Sequence, residues 1–168
     1  MPMEFIIRDS LADALRPPPV LTVSQWSEKN MVLSAEYSAS TGRFRSYPYQ
    51  DGIMDALTDP KNKTVTVMKS ARVGYTQILN NAFGYFTHHE PSPILIVQPR
   101  NSDAEDHSKG VIAPMLRDVP VLAEISTDPK SKVSSQTILK KTFKNGSSVK
   151  LIGADSPGGF RRVTVRVV

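Results

Sequence analysis

Hydrophobic patterning is clearest in the middle of this chain. Thr64-Val65-Thr66-Val67-Met68 is a run of β-branched and apolar residues that predicts a strand. After a short basic turn, Tyr75, Ile78, Leu79, Ala82, Phe83 and Phe86 recur at helical spacing, which predicts a helix with a broad buried stripe. Glu90-Pro91-Ser92-Pro93 breaks that helix, and Ile94-Leu95-Ile96-Val97 has the unbroken apolar character of a strand covered on both faces. Strand, helix and strand at this length make a βαβ unit whose crossover should be right-handed.

The flanking pattern predicts further elements. Residues 1–19 pair a short amphipathic stretch with Pro17-Pro18-Pro19, which reads as an arm on a stiff link. Ser24 is the expected cap of a helix that carries Trp26 as a packing anchor. Residues 33–47 lack periodicity and read as an irregular loop. Pro48 then sits near the first position of a helix whose Ile53, Met54 and Leu57 share one face. Ser102-Asp103-Ala104-Glu105 is a capping-box pattern opening another helix, which Pro114 should kink or restart. Residues 126–135 are polar and read as flexible. Asn145-Gly146 between residues 136–143 and 148–152 is a strong hairpin signal. A glycine-rich loop over 153–162 then leads to a last strand over 163–168.

Composition narrows the chemistry. With 168 residues and 39% hydrophobic content the chain is long enough for one domain with a core. It has no cysteine, and its three histidines lack metal-ligand spacing, so any metal would be held by oxygen. No apolar run approaches the ~20 residues needed to span a bilayer, so no membrane association is expected. The net charge of +5 and pI near 9.5 suit a polyanionic partner, although scattered surface lysines give the same sum.

The stretch Lys69-Ser70-Ala71-Arg72-Val73-Gly74-Tyr75-Thr76, between the predicted strand and helix, is the candidate for chemistry. Phosphate loops of the form G-x-x-x-x-G-K-[ST] use glycine to curl backbone N–H groups round phosphates, lysine to neutralise them, and a hydroxyl to hold Mg²⁺. Gly74 and Thr76 fit that frame. Tyr75 occupies the lysine slot and Lys69 the slot of the first glycine. A lysine at the start of the loop can still arrive as a point charge on its flexible stem. Taken alone, the pattern is equally that of a strand-to-helix turn with solvated Lys69 and Arg72.

A wider set of residues distinguishes these readings. The loop, the later Val97-Gln98-Pro99 with Asp103-Ala104-Glu105, and residues 113–120, Ala113-Pro114-Met115-Leu116-Arg117-Asp118-Val119-Pro120, together resemble the large terminase subunit of lambda-like tailed phages. The resemblance runs from about residue 33 to residue 168. It implies an α/β fold with a RecA-like P-loop NTPase sheet, mostly parallel with flanking helices and incomplete at the C-terminus, plus the hairpin. The expected division is an N-terminal arm and short helix over 1–32 and a partial ATPase domain over 33–168.

The implied activity is ATP-driven movement of double-stranded DNA into a capsid. ATP and Mg²⁺ are the implied cofactors, the small terminase subunit and portal protein the implied partners, and the host bacterial cytoplasm the implied location. Lys69 takes the place of the phosphate-binding lysine, Arg72 adds a second positive charge, the segment from Ser70 through Ala71, Val73, Gly74 and Tyr75 supplies the loop, and Thr76 offers the Mg²⁺-side hydroxyl. The adenine is expected against Tyr37 or Tyr49, with Gln50 reading its edge; packing roles for all three remain open.

In this family an acidic pair follows the strand that 163–168 resembles, and a nuclease domain comes after the motor. Neither appears before Val168. The expectation is therefore nucleotide binding with weak or no turnover by these 168 residues. Asp155 reads as a turn former rather than a substitute carboxylate. Arg161 and Arg162 are candidates for a γ-phosphate or DNA contact, although a solvated turn also accounts for them. His88 and His89 sit where a helix C-terminus favours cations. The alternatives are a helicase-like P-loop ATPase, or a non-hydrolysing nucleic-acid-binding or assembly module from a prophage remnant. An exposed sheet edge also leaves pairing with a second copy open.

Overall fold

A computed structural model describes residues 20–126 and 137–168. The expected N-terminal arm and nearly all of the polar stretch after Ser126 lie outside the described residues.

Helix α1 spans Val23–Asn30 and is capped by Thr22, not by Ser24. Three residues after Thr22 stands Gln25, whose side chain returns a bond to the Thr22 amide and closes a reciprocal box. The residue three beyond Ser24 is a serine, which cannot do this; the Ser24 hydroxyl instead meets Asp55. A two-residue antiparallel ladder, β1 (Val32–Leu33) with β2 (Gly42–Arg43), interrupts the expected loop. Helix α2 (Pro48–Ala56) begins with proline at its first turn, where a missing N–H costs nothing.

Helix α3 (Tyr75–His88) is the central element. It buries Ile78, Ala82, Phe83 and Phe86 as the spacing predicts, while Leu79 stays half exposed. Trp26 of α1 is fully buried against α3, its ring so close to Gly84 that a Cβ there would sit 2.6 Å from the indole. The indole N–H donates to His88 Nδ1 at 3.2 Å. His88 is thus a neutral acceptor, and burial, then the neighbouring His89, lowers its pKa, with Glu124 opposing.

The linkage sign follows from that lowered value. Unfolded chains take up the proton first, so stability should fall as pH drops below histidine's ordinary value of about 6.5. The thermal midpoint is expected to decline between pH 7.5 and 5.5 more steeply in the natural chain than in His88→Gln, and equal slopes would remove His88 as the cause.

Strand β3 (Pro93–Gln98) follows, then α4 (Asn101–His107), a π-helical turn (Ser108–Ile112), α5 (Ala113–Asp118) and α6 (Pro120–Ile125). The π turn lies just before Pro114, which cannot supply an N–H to the preceding turn, so the restart expected there takes the form of one widened turn. The capping box expected at Ser102 is absent. The helix starts at Asn101, and the Asn101 amide donates to the Asp155 carboxylate at 3.2 Å, a partner 54 residues away that no local pattern could supply.

The hairpin forms as predicted: β4 (Lys140–Thr142) pairs antiparallel with β5 (Ser148–Gly153), and Gly146 takes the positive φ the turn requires. β5 also pairs in parallel with β3 from Pro93↔Ser148 to Gln98↔Gly153, giving the order β3-β5-β4. The last expected strand reduces to one parallel bridge, Ile94 with Val167, on the free edge of β3.

The strand expected over 64–68 is not seen. In that segment Thr64, Thr66 and Met68 are exposed and Val65 and Val67 half-buried, but it joins no ladder. β-propensity specifies a chain that fits a half-buried pleated surface; it does not supply a partner edge. The βαβ unit starting at residue 64 is therefore incomplete, and the parallel crossover observed lies one step later, between β3 and β5. The result is a mixed α/β fold with a three-stranded mixed sheet, its core running from Val23 and Trp26 through α3 to Ile94, Val149 and Leu151.

Candidate nucleotide site

The bend before α3 is retained. Residues 71–74 form a turn, and Gly74 caps the helix in the left-handed region at φ 73°. Glycine suits that φ, and a Cβ there would also displace the tip of Gln50, whose Nε2 would lie 2.8 Å away. Arg72, at φ 60°, holds a conformation that non-glycine residues rarely adopt. Within the described residues, no amide from Ser70 to Gly74 donates to another backbone group, and the first turn of α3 adds the unpaired N–H groups of any helix start.

Lys69 is exposed. Its ammonium lies 5.6 Å from the centre of the Tyr75 ring and 3.4 Å from the Ser70 carbonyl. No carboxylate of the described residues pairs with it. Lys69, Ser70, Val73 and Tyr75 line a cleft of about 280 Å³ together with Tyr49 and Ile53. Tyr49 donates from its phenol to the Val73 carbonyl at 3.0 Å, tying α2 to the loop.

Not every predicted residue converges here. Thr76 lines a different, larger cleft of about 530 Å³ between α3 and the end of β3, with Val97, Gln98 and Val168. Tyr37 lies in the loop between β1 and β2, where its phenol donates to the Val32 carbonyl at 3.0 Å and burial raises its pKa. Gln50 is buried and occupied in the fold, accepting from the Tyr47 amide at 3.0 Å. Arg161 and Arg162 are exposed, and Arg162 lines neither cleft just described.

Tyr47 is a feature that sequence reasoning passed over. Its ring stacks on Tyr49 with centroids 5.8 Å apart and planes 6° from parallel, and both are more than half exposed. Two tyrosines flanking Pro48 were the available signal. An exposed parallel aromatic pair beside a cation-bearing loop is a surface on which a heteroaromatic ring can stack.

Residues 38–168 match the family model for the ATPase domain of phage terminase large subunit gpA. The chain belongs to this family. It is 35% identical over 162 residues to the terminase large subunit of Enterobacteria phage P21, covering 96% of this chain and 25% of that protein. It is 32% identical over 165 residues to the terminase large subunit of Escherichia phage lambda, covering 98% of this chain and 26% of that one. The chain thus spans about a quarter of the length of these terminase subunits. No solved structure matches it. No helix of the described residues is long and apolar enough to cross a membrane.

The donor set bears on the cofactors a terminase ATPase domain implies. Among the described residues the loop amides lack backbone acceptors and its two cations lack ion-pair partners, which suits phosphate. Mg²⁺ is less well provided for: the described residues contain no cluster of metal-ligating side chains, and Thr76 offers one hydroxyl in a cleft without a carboxylate. Mg²⁺ prefers an octahedral oxygen set drawn partly from substrate phosphates, so the phosphates would have to bring most of its ligands.

Proposed function

We propose that this chain is the nucleotide-binding part of a DNA-packaging motor, in which ATP held at the loop over 69–76 drives double-stranded DNA into a capsid. Membership of the terminase ATPase-domain family over residues 38–168 carries this reading, and the open amides and unpaired cations of the loop support it. Lys69 and Arg72 neutralise the phosphates; the amides from Ser70 to Tyr75 orient them. Thr76 places its hydroxyl on the metal side, and the adenine stacks on Tyr49. Gln50 serves the base by holding the start of α2, while Tyr37 is the less favoured platform because its phenol is committed elsewhere.

The proposed architecture is RecA-like, built on the three-stranded sheet of β3, β5 and β4, with residues 1–32 as arm and short helix. The small terminase subunit and portal protein are the proposed partners, in the host bacterial cytoplasm. Turnover by the 168 residues is weak in this proposal, because no carboxylate of the described residues lines the cleft of Thr76 to orient water or hold Mg²⁺.

Binding and hydrolysis should therefore separate. A fluorescent ATP analogue is expected to saturate the chain and be displaced by ATP, while phosphate release stays near background. Absence of saturable binding would reject the site; brisk phosphate release would reject the account of turnover.

A further inference from the structure

A third cleft, of about 220 Å³, lies at the start of the parallel pair, lined by Pro93 and Ile94 of β3, Ser148, Val149 and Lys150 of β5, and Lys140, Arg162 and Thr164 beside them. The Thr76 cleft runs along β3 from Leu95 to Gln98, and neither it nor the cleft of the 69–76 loop shares a lining residue with this one.

The charge here is one-sided. Lys140 and Lys150 are directly opposed partners in the β4–β5 ladder, an arrangement in which like charges repel. Arg162 adds a third cation from a backbone at φ 57°. No carboxylate lines the cleft, and none of these three forms an ion pair among the described residues. Lys150 donates to the Gly159 carbonyl at 2.7 Å, which fixes one of the three cations. Ser148 and Thr164 contribute hydroxyls.

We infer that this cleft binds the phosphodiester backbone of duplex nucleic acid. Three convergent cations and two hydroxyls around a small concavity are the donors a phosphate group uses, and an anion would relieve the Lys140–Lys150 repulsion. Single-strand sites add aromatic platforms for unstacked bases, and no aromatic among the described residues lines this cleft. The inference rests on the packaging reading for its partner and assigns duplex contact to a surface separate from the nucleotide loop.

The test compares the 168-residue chain with Lys140→Ala/Lys150→Gln/Arg162→Ala and with Lys29→Ala/Lys61→Ala/Lys63→Ala, which removes the same charge from exposed positions elsewhere. Binding of a fluorescent 20-base-pair duplex is followed against salt, with ATP-analogue binding measured in parallel. Each lost phosphate contact lowers the log–log salt slope by about 0.9, so the cleft variant should lose 2–3 and the control variant much less. Equal slopes in the two variants would overturn the inference, as would tighter binding of a single strand of the same length. Lys140→Ala alone, at an exposed side chain, should lower the slope by about 1 and serves if the triple variant fails to fold. Retained ATP-analogue binding in the cleft variant confirms two separate sites. Loss of the salt slope in a chain that never binds the analogue would reject the nucleotide reading while keeping the cleft.

Discussion

Trp26→Ala should destabilise the chain by about 3–5 kcal/mol, the range for removing a large buried aromatic side chain. The indole is fully buried, packs edge-on to Tyr85 with centroids 6.4 Å apart, and lies against Gly84. Alanine would leave a void that neighbouring backbone cannot close, and would strip His88 of its donor. Against a typical total of about 5–15 kcal/mol this is a large share. With a urea dependence near 2 kcal/mol/M, the midpoint should fall by about 2 M. A shift below about 0.5 M would mean that α1 is not docked as described. Gly84→Ala offers an independent check, since its methyl meets the same ring; paired with Trp26→Phe, it should cost less than the two changes summed.

Lys69→Ala should weaken ATP-analogue binding by about 10- to 100-fold, because a hydrogen bond to a charged group contributes roughly 1.5–3 kcal/mol. Stability should hardly change. Lys69 is exposed, and its contacts are a long bond to the Ser70 carbonyl and the face of Tyr75. The ammonium is thus free to turn from the ring to an arriving phosphate. Arg72→Gly makes a useful contrast: it removes a charge and also relieves the positive φ, so its loss of affinity should be partly offset by a better-formed loop. Unchanged affinity in Lys69→Ala, measured by titration with the same analogue, would remove the displaced lysine from the site.

Much of this fold could be read from local pattern. The stripe of α3, the apolar run of β3 and the Asn145-Gly146 hairpin each depend on interactions within a few residues, and each forms where expected. What escaped depends on distant partners. The 64–68 run has strand composition without a ladder, and Ser102 lost its capping role to Asp155 across 54 residues. At the site, the loop and its helix start were legible, since glycine, lysine and the following stripe are sequential. The Tyr47–Tyr49 stack and the placement of Thr76 in another cleft depend on how α2 and β3 approach α3, which no spacing along the chain reports.

Gly153 ends β5 against backbone: a Cβ there would collide with the Asn101 amide and the Arg100 carbonyl carbon, while the Gly153 amide donates to Asn101 Oδ1 at 3.0 Å. Two stretches of main chain are fastened together at that crossing by the Asn101 and Asp155 side chains, with no room for a further one. A push on the segment after β5, whatever its source, would then reach α4 as rigid displacement, and the glycine-rich turn beyond it becomes a lever whose fulcrum is fixed.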